Sequence, residues 1–86
     1  MSITLYVGNI SYSMKENELR EAFSPYGEVV SAKIIVDKRS GRSKGYGFVE
    51  MENEADAMEA INNLNGKEVL GRNIKVNKAN SQSEQK

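Results

Sequence analysis

The sequence contains no cysteine and no histidine, and these absences exclude most of the chemistry of small enzymes. Without cysteine there is no disulfide, thiolate nucleophile or cysteine zinc site, and without histidine the commonest general base and metal ligand is missing. No apolar run approaches the roughly 20 residues that cross a bilayer, and no signal-peptide pattern opens the chain. We therefore expect a cytoplasmic protein, or a nuclear one in a eukaryote, that uses no metal or cofactor and is not an enzyme.

Charge of one sign is not in excess either, because twelve Lys and Arg balance twelve Asp and Glu to a net charge of zero. Neutrality argues mildly against strong non-specific binding of nucleic acid, which phosphate neutralisation drives. The charges are unevenly distributed, however: positions 38–44 sum to +4 and positions 52–64 sum to −4. We expect a neutral but polarised molecule.

Apolar periodicity predicts four strands and two helices. Alternating or β-branched apolar residues indicate the strands, and i, i+3, i+4, i+7 spacing indicates the helices. The predicted strands lie at Ile3 to Val7, at Glu28 to Val36, at Lys44 to Met51 and around Ile74 and Val76, and the predicted helices lie at about Met14 to Ser24 and from Asn53 to Leu64. A capping box of Ser13 and Glu16 is expected to open the first helix, and Pro25 is expected to end it.

This order of elements is that of the split βαβ arrangement of ferredoxin-like domains, βαββαβ. We expect one α+β domain over residues 1–79, in which a four-stranded antiparallel sheet carries both helices on one face. The other face of the sheet is then open to solvent. Residues 80–86 have no apolar side chain and are expected to form a short, polar, disordered tail.

Side-chain parity along the third strand predicts an aromatic open face. Tyr46 and Phe48 share one face of this strand with Lys44 and with the acidic residue at position 50. If this face met the helices, both charges would be buried without partners, at a cost of several kcal/mol or more each. The rings are therefore expected to point to solvent. The same test places Tyr6 of the first strand beside them.

Two segments resemble the signature sequences of the RNA-recognition motif family. The segment from Lys44 to Met51 reads KGYGFVEM and fits six of the seven specified positions of K/R-G-F/Y-G/A-F-V-x-F/Y. LYVGNI at positions 5–10 resembles the family's hexapeptide on the first strand. The departure is Met51, where the family has Phe or Tyr, and parity directs Met51 toward the helices. The resemblance covers about residues 3–79 and extends to short single-domain bacterial and glycine-rich-type RNA-binding proteins, without their glycine-rich tail.

The resemblance implies that single-stranded RNA binds by stacking of its bases. Tyr6 and Phe48 match the family's stacking aromatics, Tyr46 matches a ring that packs among the sugars, and Lys44 would pair with a phosphate. Further RNA-binding candidates flank these rings, overhang the sheet edge or follow the last strand: Lys33, Arg42, Lys75, Asn77, Lys78 and Asn80. Tyr12 is expected to pack against the sheet edge rather than touch RNA. We expect a monomer with no membrane partner, and single-stranded DNA is a second candidate ligand because stacking does not test for a 2′-hydroxyl.

Two other functions compete with RNA binding. Some family members bind partner peptides through their helices, typically with an Arg-x-Phe sequence between the second helix and the last strand. The corresponding segment here, 65–73, has no phenylalanine, which weakens this interpretation. A protein-interaction module that uses the helical face is kept as the alternative, with or without nucleic-acid binding. A small ferredoxin-like enzyme such as an acylphosphatase needs an Arg in its glycine-bearing first loop, and residues 8–13 contain none.

Overall fold

The computed structural model describes residues 2–79, which form an antiparallel sheet with two helices packed on one face. In chain order the elements are β1 (Ile3–Gly8), α1 (Glu16–Phe23), β2 (Val29–Val36), β3 (Ser43–Met51), α2 (Glu54–Leu64), β4 (Glu68–Val69), β5 (Arg72–Asn73) and β6 (Lys75–Lys78). The main sheet has the strand order β2-β3-β1-β6. The predicted α+β, ferredoxin-like fold is confirmed. The predicted tail at 80–86 lies outside the described residues.

The core lies between the main sheet and the helices, on the side that strand parity predicts. Leu5, Val7, Val49 and Met51 alternate along β1 and β3 and are fully buried. The helices cover them with the buried side chains Leu19, Phe23, Ala57, Ala60 and Leu64. The burial of Met51 agrees with the expectation that this departure from the family signature faces the core. No helix within residues 2–79 combines the length and apolar character needed to span a membrane.

The first helix begins later than predicted and uses a different cap. Its N-cap is Lys15, whose backbone N–H donates to the carboxylate of Glu18 at 2.8 Å. Ser13 instead exchanges a hydrogen bond with Ser11, and Glu16 accepts one from the backbone N–H of Ile34 in β2 at 3.1 Å. The predicted box of Ser13 and Glu16 was therefore wrong, because Glu16 is drawn to the edge strand. As predicted, α1 ends before Pro25, which lies in a short 3₁₀ turn at Ser24–Tyr26.

The second helix begins where the sequence predicts. The side-chain oxygen of Asn53 accepts hydrogen bonds from the backbone N–H groups of Ala55 at 2.8 Å and Asp56 at 3.3 Å. These bonds satisfy donors that have no partner inside the helix. Because α2 lies behind the sheet, its three acidic residues are held on the side away from the open face.

A small hairpin between α2 and β6 was not predicted. Its strands β4 and β5 are two residues each and pair Glu68 with Asn73 and Val69 with Arg72. The turn residues Leu70 and Gly71 both have positive φ, 52° and 84°, as a two-residue type I′ turn requires. The hairpin matters for the open face because it presents Arg72 at the end of β1.

Candidate nucleic-acid interface

One row of side chains crosses all four strands of the open face. Strand register pairs Phe48 of β3 with Lys33 on one side and with Tyr6 on the other. Tyr6 in turn pairs with Asn77 of β6. Because neighbours of these residues in the strands, such as Leu5 and Val49, are fully buried, the row itself faces away from the core. Two aromatic rings therefore form the centre of the row, with a cation and an amide at its ends.

Three aromatic rings form a continuous platform on this face. The ring centroids of Tyr6 and Phe48 lie 6.0 Å apart, those of Tyr6 and Tyr46 also 6.0 Å, and those of Tyr46 and Phe48 6.2 Å. The Phe48 ring meets both tyrosines edge-on, whereas Tyr6 and Tyr46 are tilted by only 32°. All three are partly exposed. Rings in mutual contact are held in place, and their free faces remain available for stacking.

Two glycines shape the backbone beneath the platform. The ring of Tyr6 folds over Gly8, where any Cβ would overlap its hydroxyl. At Gly47 a Cβ would overlap the carbonyl oxygen of Lys33 in the neighbouring strand, so the close approach of β2 and β3 requires glycine here. These glycines explain why the octapeptide and hexapeptide segments carry glycine beside their aromatics.

Cations surround the platform at one end. Tyr46 pairs with Gly8, and Gly8 pairs with Lys75 of β6, which puts that lysine one row beyond Tyr6. Lys44 lines the same cleft as Tyr6 and Tyr46, and Arg42 lies in the β2–β3 connection beside them. Among residues 2–79, neither Lys44 nor Lys75 forms a salt bridge. The predicted residues Lys33, Lys44, Lys75 and Asn77 are thus brought together with the rings.

The opposite end of the platform is acidic. Glu50 lies two residues beyond Phe48 on the same face and pairs across the sheet with Thr4. Its carboxylate accepts a 2.6 Å hydrogen bond from the hydroxyl of Ser2. A phosphate at this end would meet a like charge, so the face favours an anion toward Tyr46 and not toward Glu50.

Asp37 organises the β2–β3 connection that carries Arg42. Its carboxylate accepts hydrogen bonds from the backbone N–H groups of Arg39 at 2.8 Å and Ser40 at 3.3 Å. These bonds to Arg39 and Ser40 hold the pKa of Asp37 below its ordinary value of 3.8. The carboxylate is therefore charged at neutral pH and fixes the turn, but it also places one negative charge beside Arg42.

Two predicted site residues are not on the platform. Lys78 pairs in register with the buried Leu5, so its side chain faces the helical side, where it forms a 3.3 Å salt bridge with Glu54 of α2. The expectation that Lys78 borders the open face therefore fails for its side chain. Asn80 lies outside the described residues. A helical protein-binding surface stays a prediction.

A cluster of side chains at the end of β1 was not predicted from the sequence. The Arg72 guanidinium lies 5.6 Å from the ring centroid of Tyr12 and donates to the side-chain oxygen of Asn9 at 2.8 Å. The side-chain amide of Asn9 donates to the carbonyl oxygen of Asn73 at 2.8 Å. No periodicity marks these residues. The one usable signal was the Arg after Gly71, but its position depends on the unpredicted hairpin.

The family model and the relatives that match this chain agree on one family. The family model described as RNA recognition motif matches residues 5–75. The chain is 48% identical over 80 residues to glycine-rich RNA-binding protein 2, mitochondrial, of Arabidopsis thaliana, covering 93% of this chain and 51% of that one. It is 45% identical over 82 residues to putative RNA-binding protein RbpE of a Nostoc species, covering 95% and 83%. The chain spans only 26% and 27% of two other plant relatives, one mitochondrial and one chloroplastic.

Solved structures share the same fold over nearly the whole chain. The crystal structure of RNA binding protein PG1 superposes with a TM-score of 0.89 at 44% identity, covering 95% of this chain and 99% of that chain. The second RRM domain of yeast poly(U)-binding protein gives 0.83 at 31% identity, covering 90% and 93%. An RRM solved with bound RNA (GU) gives 0.81 at 32% identity, covering 91% and 83%.

Proposed function

The chain belongs to the RNA recognition motif family, and on that premise we propose that it binds single-stranded RNA on the open face of its sheet. Bases stack on Tyr6 and Phe48, and Tyr46 packs among the sugars. Phosphates lie near Lys44 and the other cations that surround the rings. The function is binding without a catalytic step.

The observation that carries this proposal is the row of Lys33, Phe48, Tyr6 and Asn77 across the four strands. Exposing aromatic rings to water is unfavourable. The core does not need these rings, because it is built from the side chains on the opposite faces of the same strands. Every base has a π-face, so rings at about 6 Å spacing hold successive bases of an unpaired strand. The amide of Asn77 adds a hydrogen-bond donor and acceptor for a base edge.

The number of contacts predicts weak binding. Two or three stacking rings hold about 2–4 nucleotides at roughly 1–3 kcal/mol per stacked base. Part of this free energy is offset because both partners lose conformational freedom on binding. We therefore expect a tetranucleotide to bind with an affinity nearer micromolar than nanomolar. Nanomolar binding of a tetranucleotide at physiological salt would contradict this account of the site.

The test is selection of bound sequences from a random single-stranded RNA pool, followed by titration of the enriched sequence as RNA and as DNA. Phe48→Ala is measured beside Met58→Ala, which removes an exposed apolar side chain from α2 on the opposite side of the domain. We expect the first change to weaken binding and the second to leave it unchanged. No measurable RNA binding by the wild type, or equal effects of both changes, would refute the proposal.

Preference between RNA and DNA is a separate outcome of the same titration. Stacking alone predicts similar affinities, whereas a contact to the 2′-hydroxyl predicts tighter binding of RNA. Binding of DNA alone would overturn the assignment of RNA as the ligand while leaving the stacking platform intact.

A further inference from the structure

The sequence contains a single Asn-Gly pair, Asn65 and Gly66, and this pair is not part of the RNA interface. A backbone nitrogen can attack the side-chain amide of a preceding asparagine, and glycine hinders this attack least because it carries no side chain. The other asparagines all precede larger residues. Asn65 and Gly66 are both exposed, so water reaches them. Asn65 is therefore the asparagine of this chain most susceptible to loss of its amide.

Hydrogen bonds hold both reacting groups of this pair. The backbone N–H of Gly66, which would supply the nucleophile, donates to the carbonyl oxygen of Ile74 at 2.7 Å. The side-chain oxygen of Asn65, on the carbon that would be attacked, accepts from the backbone N–H of Val76 at 3.0 Å. The first bond hinders deprotonation of the Gly66 nitrogen, and the second fixes the Asn65 side chain toward β6. The pair is thus protected by hydrogen bonds and not by burial.

These two bonds form a latch between the end of α2 and β6, made of Asn65, Gly66, Ile74 and Val76. The latch encloses the β4–β5 hairpin, whose strands are two residues each and whose turn holds Leu70 at a positive φ of 52°. Exposed hydrogen bonds beside such a short element open at a lower free energy than the centre of a sheet does. The latch is therefore expected to open while the rest of the domain stays folded.

We propose that Asn65 is a deamidation site, which the latch protects when it is closed and exposes when it opens. In the open latch the Gly66 nitrogen loses its proton to water or hydroxide and forms a bond to Cγ of Asn65. The C–N bond of the side-chain amide breaks, and ammonia leaves. Water then opens the resulting succinimide ring at either carbonyl carbon, which yields aspartate or isoaspartate. The net reaction consumes water and releases ammonia, and it needs no RNA, so it is independent of the proposed function.

The two products differ in their effect on the latch. Aspartate at position 65 keeps a side-chain oxygen in place of the amide oxygen, so it can still accept from the N–H of Val76. Isoaspartate routes the main chain through Cγ, which adds a backbone atom before Gly66 and displaces the carboxylate from Val76. The isoaspartate form therefore cannot close the latch. It loses one attachment of β6, the strand that carries Lys75 and Asn77.

Deamidation rates of the folded and the unfolded chain test the protection. The full chain is incubated at mildly alkaline pH with and without urea, and conversion at each asparagine is followed by peptide mass spectrometry. We expect Asn65 to be the fastest site in urea and to react at least about 10-fold more slowly in the folded chain, because the reaction must wait for the latch to open. Equal rates in both conditions, or faster reaction of another asparagine in urea, would overturn the proposal.

Two glycine substitutions separate opening of the latch from global unfolding. Gly71 and Gly41 have positive φ, 84° and 73°, and a Cβ on either would meet no atom of residues 2–79 within 4 Å. Gly71→Ala strains the hairpin inside the latch, whereas Gly41→Ala strains the β2–β3 connection. We expect Gly71→Ala to accelerate deamidation of the folded chain by about 5-fold or more, and Gly41→Ala to change it by less than about 2-fold. Equal acceleration would show that the reaction follows global unfolding and would refute control by the latch.

Asn65→Asp is the matched control for the product. The isoaspartate form, separated by chromatography after ageing in urea and then refolded, carries the same added charge as Asn65→Asp, so a difference between their denaturant melts isolates the latch. We expect the isoaspartate form to melt at the lower denaturant concentration, and identical melts would contradict the role of the latch.

Should Gly71→Ala fail to fold, amide hydrogen exchange of the wild type decides. The amides of Gly66 and Val76 should share one protection factor, which should be lower than that of the β3 amides. Protection equal to that of β3 would show that the latch does not open on its own and would refute the proposal.

Discussion

Adjacent residues of β3 provide a sharp test of the interface, because Phe48 and Val49 point to opposite faces of the sheet. Phe48→Ala removes a ring from the platform, where it meets Tyr6 and Tyr46 edge-on at 6.0 and 6.2 Å. Val49→Ala removes methyl groups from a fully buried site against the helices. One substitution should act on binding, and the other on folding.

The expected costs in stability differ in origin and overlap in size. Val49→Ala loses about 1.6 kcal/mol from two methyl-sized groups and leaves a cavity, for about 1–3 kcal/mol in all. Phe48→Ala loses no core volume, but it breaks two exposed ring contacts that together are worth about 1 kcal/mol. Denaturant melts should therefore rank Val49→Ala as the more destabilised variant, with Phe48→Ala within about 1 kcal/mol of the wild type.

Affinity separates the two variants more clearly than stability does. Phe48→Ala should weaken RNA binding by roughly 1–3 kcal/mol, the value of one base–aromatic stack, which is about 5-fold to 150-fold. Val49→Ala should leave the affinity of the folded molecules within about 2-fold. Both are titrated with the same short RNA at a temperature and denaturant concentration where the melts show each variant to be folded.

The refuting result is an exchange of these roles. If Phe48→Ala melts the domain while Val49→Ala abolishes binding in a folded protein, the open and buried faces of β3 have been assigned the wrong way round. The RNA-binding face argued from Lys33, Phe48, Tyr6 and Asn77 would then be wrong as well.

Three further predictions concern charge, the backbone and pH. The slope of log K against log salt for a tetranucleotide should be about −1.4 to −2.1, because two or three phosphates are neutralised at roughly −0.7 each, and a slope steeper than about −4 would refute this count. Gly47→Ala should cost more than about 2 kcal/mol in denaturant melts, because its Cβ would overlap the Lys33 carbonyl oxygen. Gly41→Ala should cost only the roughly 1 kcal/mol of its positive φ, because its Cβ would meet no atom of residues 2–79 within 4 Å. Asp37 should titrate below 3.8 by carboxyl-carbon NMR, so the stability it adds is present above that pH and is lost as the pH falls through its folded pKa, and a midpoint at or above 3.8 would contradict the hydrogen bonds of its turn.

The sequence was sufficient to assign the faces of β1 and β3 because a strand has a period of two residues. Charges at both ends of the β3 segment made one parity far more costly than the other, and that choice placed Tyr46 and Phe48 together. The distances between the rings follow from register, which the alternation alone does not supply. The structure supplies the register between β1 and β3, in which Tyr6 pairs with Phe48.

The cap of α1 could not be predicted because its N-cap residue, Lys15, is not one of the residue types that favour this position. Ser13 with Glu16 and Lys15 with Glu18 have the same spacing, and the serine is the better N-cap residue in isolation. The decision is tertiary: Glu16 accepts a hydrogen bond from Ile34 of the edge strand. Arg20, one turn further along, donates to the carbonyl oxygen of Val29 at 3.3 Å. Helix α1 thus begins where its charged side chains can form hydrogen bonds with backbone groups of β2.

The direction of the Lys78 side chain could be predicted from the sequence, whereas the position of Arg72 could not. Lys75 and Asn77 are predicted on the open face, so alternation along the strand directs the side chains of Val76 and Lys78 toward the helices. Only the partner of Lys78, Glu54, required the structure. Arg72 is placed by a two-residue strand pair whose turn includes a leucine at positive φ. The sequence around Gly71 is turn-like, but leucine is a poor residue for that conformation, so local propensity predicts a turn and not the paired strands of a hairpin.

The placement of charge resolves how a chain of zero net charge presents a basic face. Six acidic residues lie on the helices: Glu16, Glu18 and Glu21 on α1, and Glu54, Asp56 and Glu59 on α2. The domain is 19 Å thick along its shortest axis, more than twice the Debye length of about 8 Å at physiological ionic strength. Exposed charges on the helical side are therefore largely screened from an RNA on the sheet. The electrostatic potential that an RNA experiences on the sheet is set by the local cations and by Glu50 at one end. The direction in which the RNA strand extends along the platform therefore affects binding more than the net charge of the chain does.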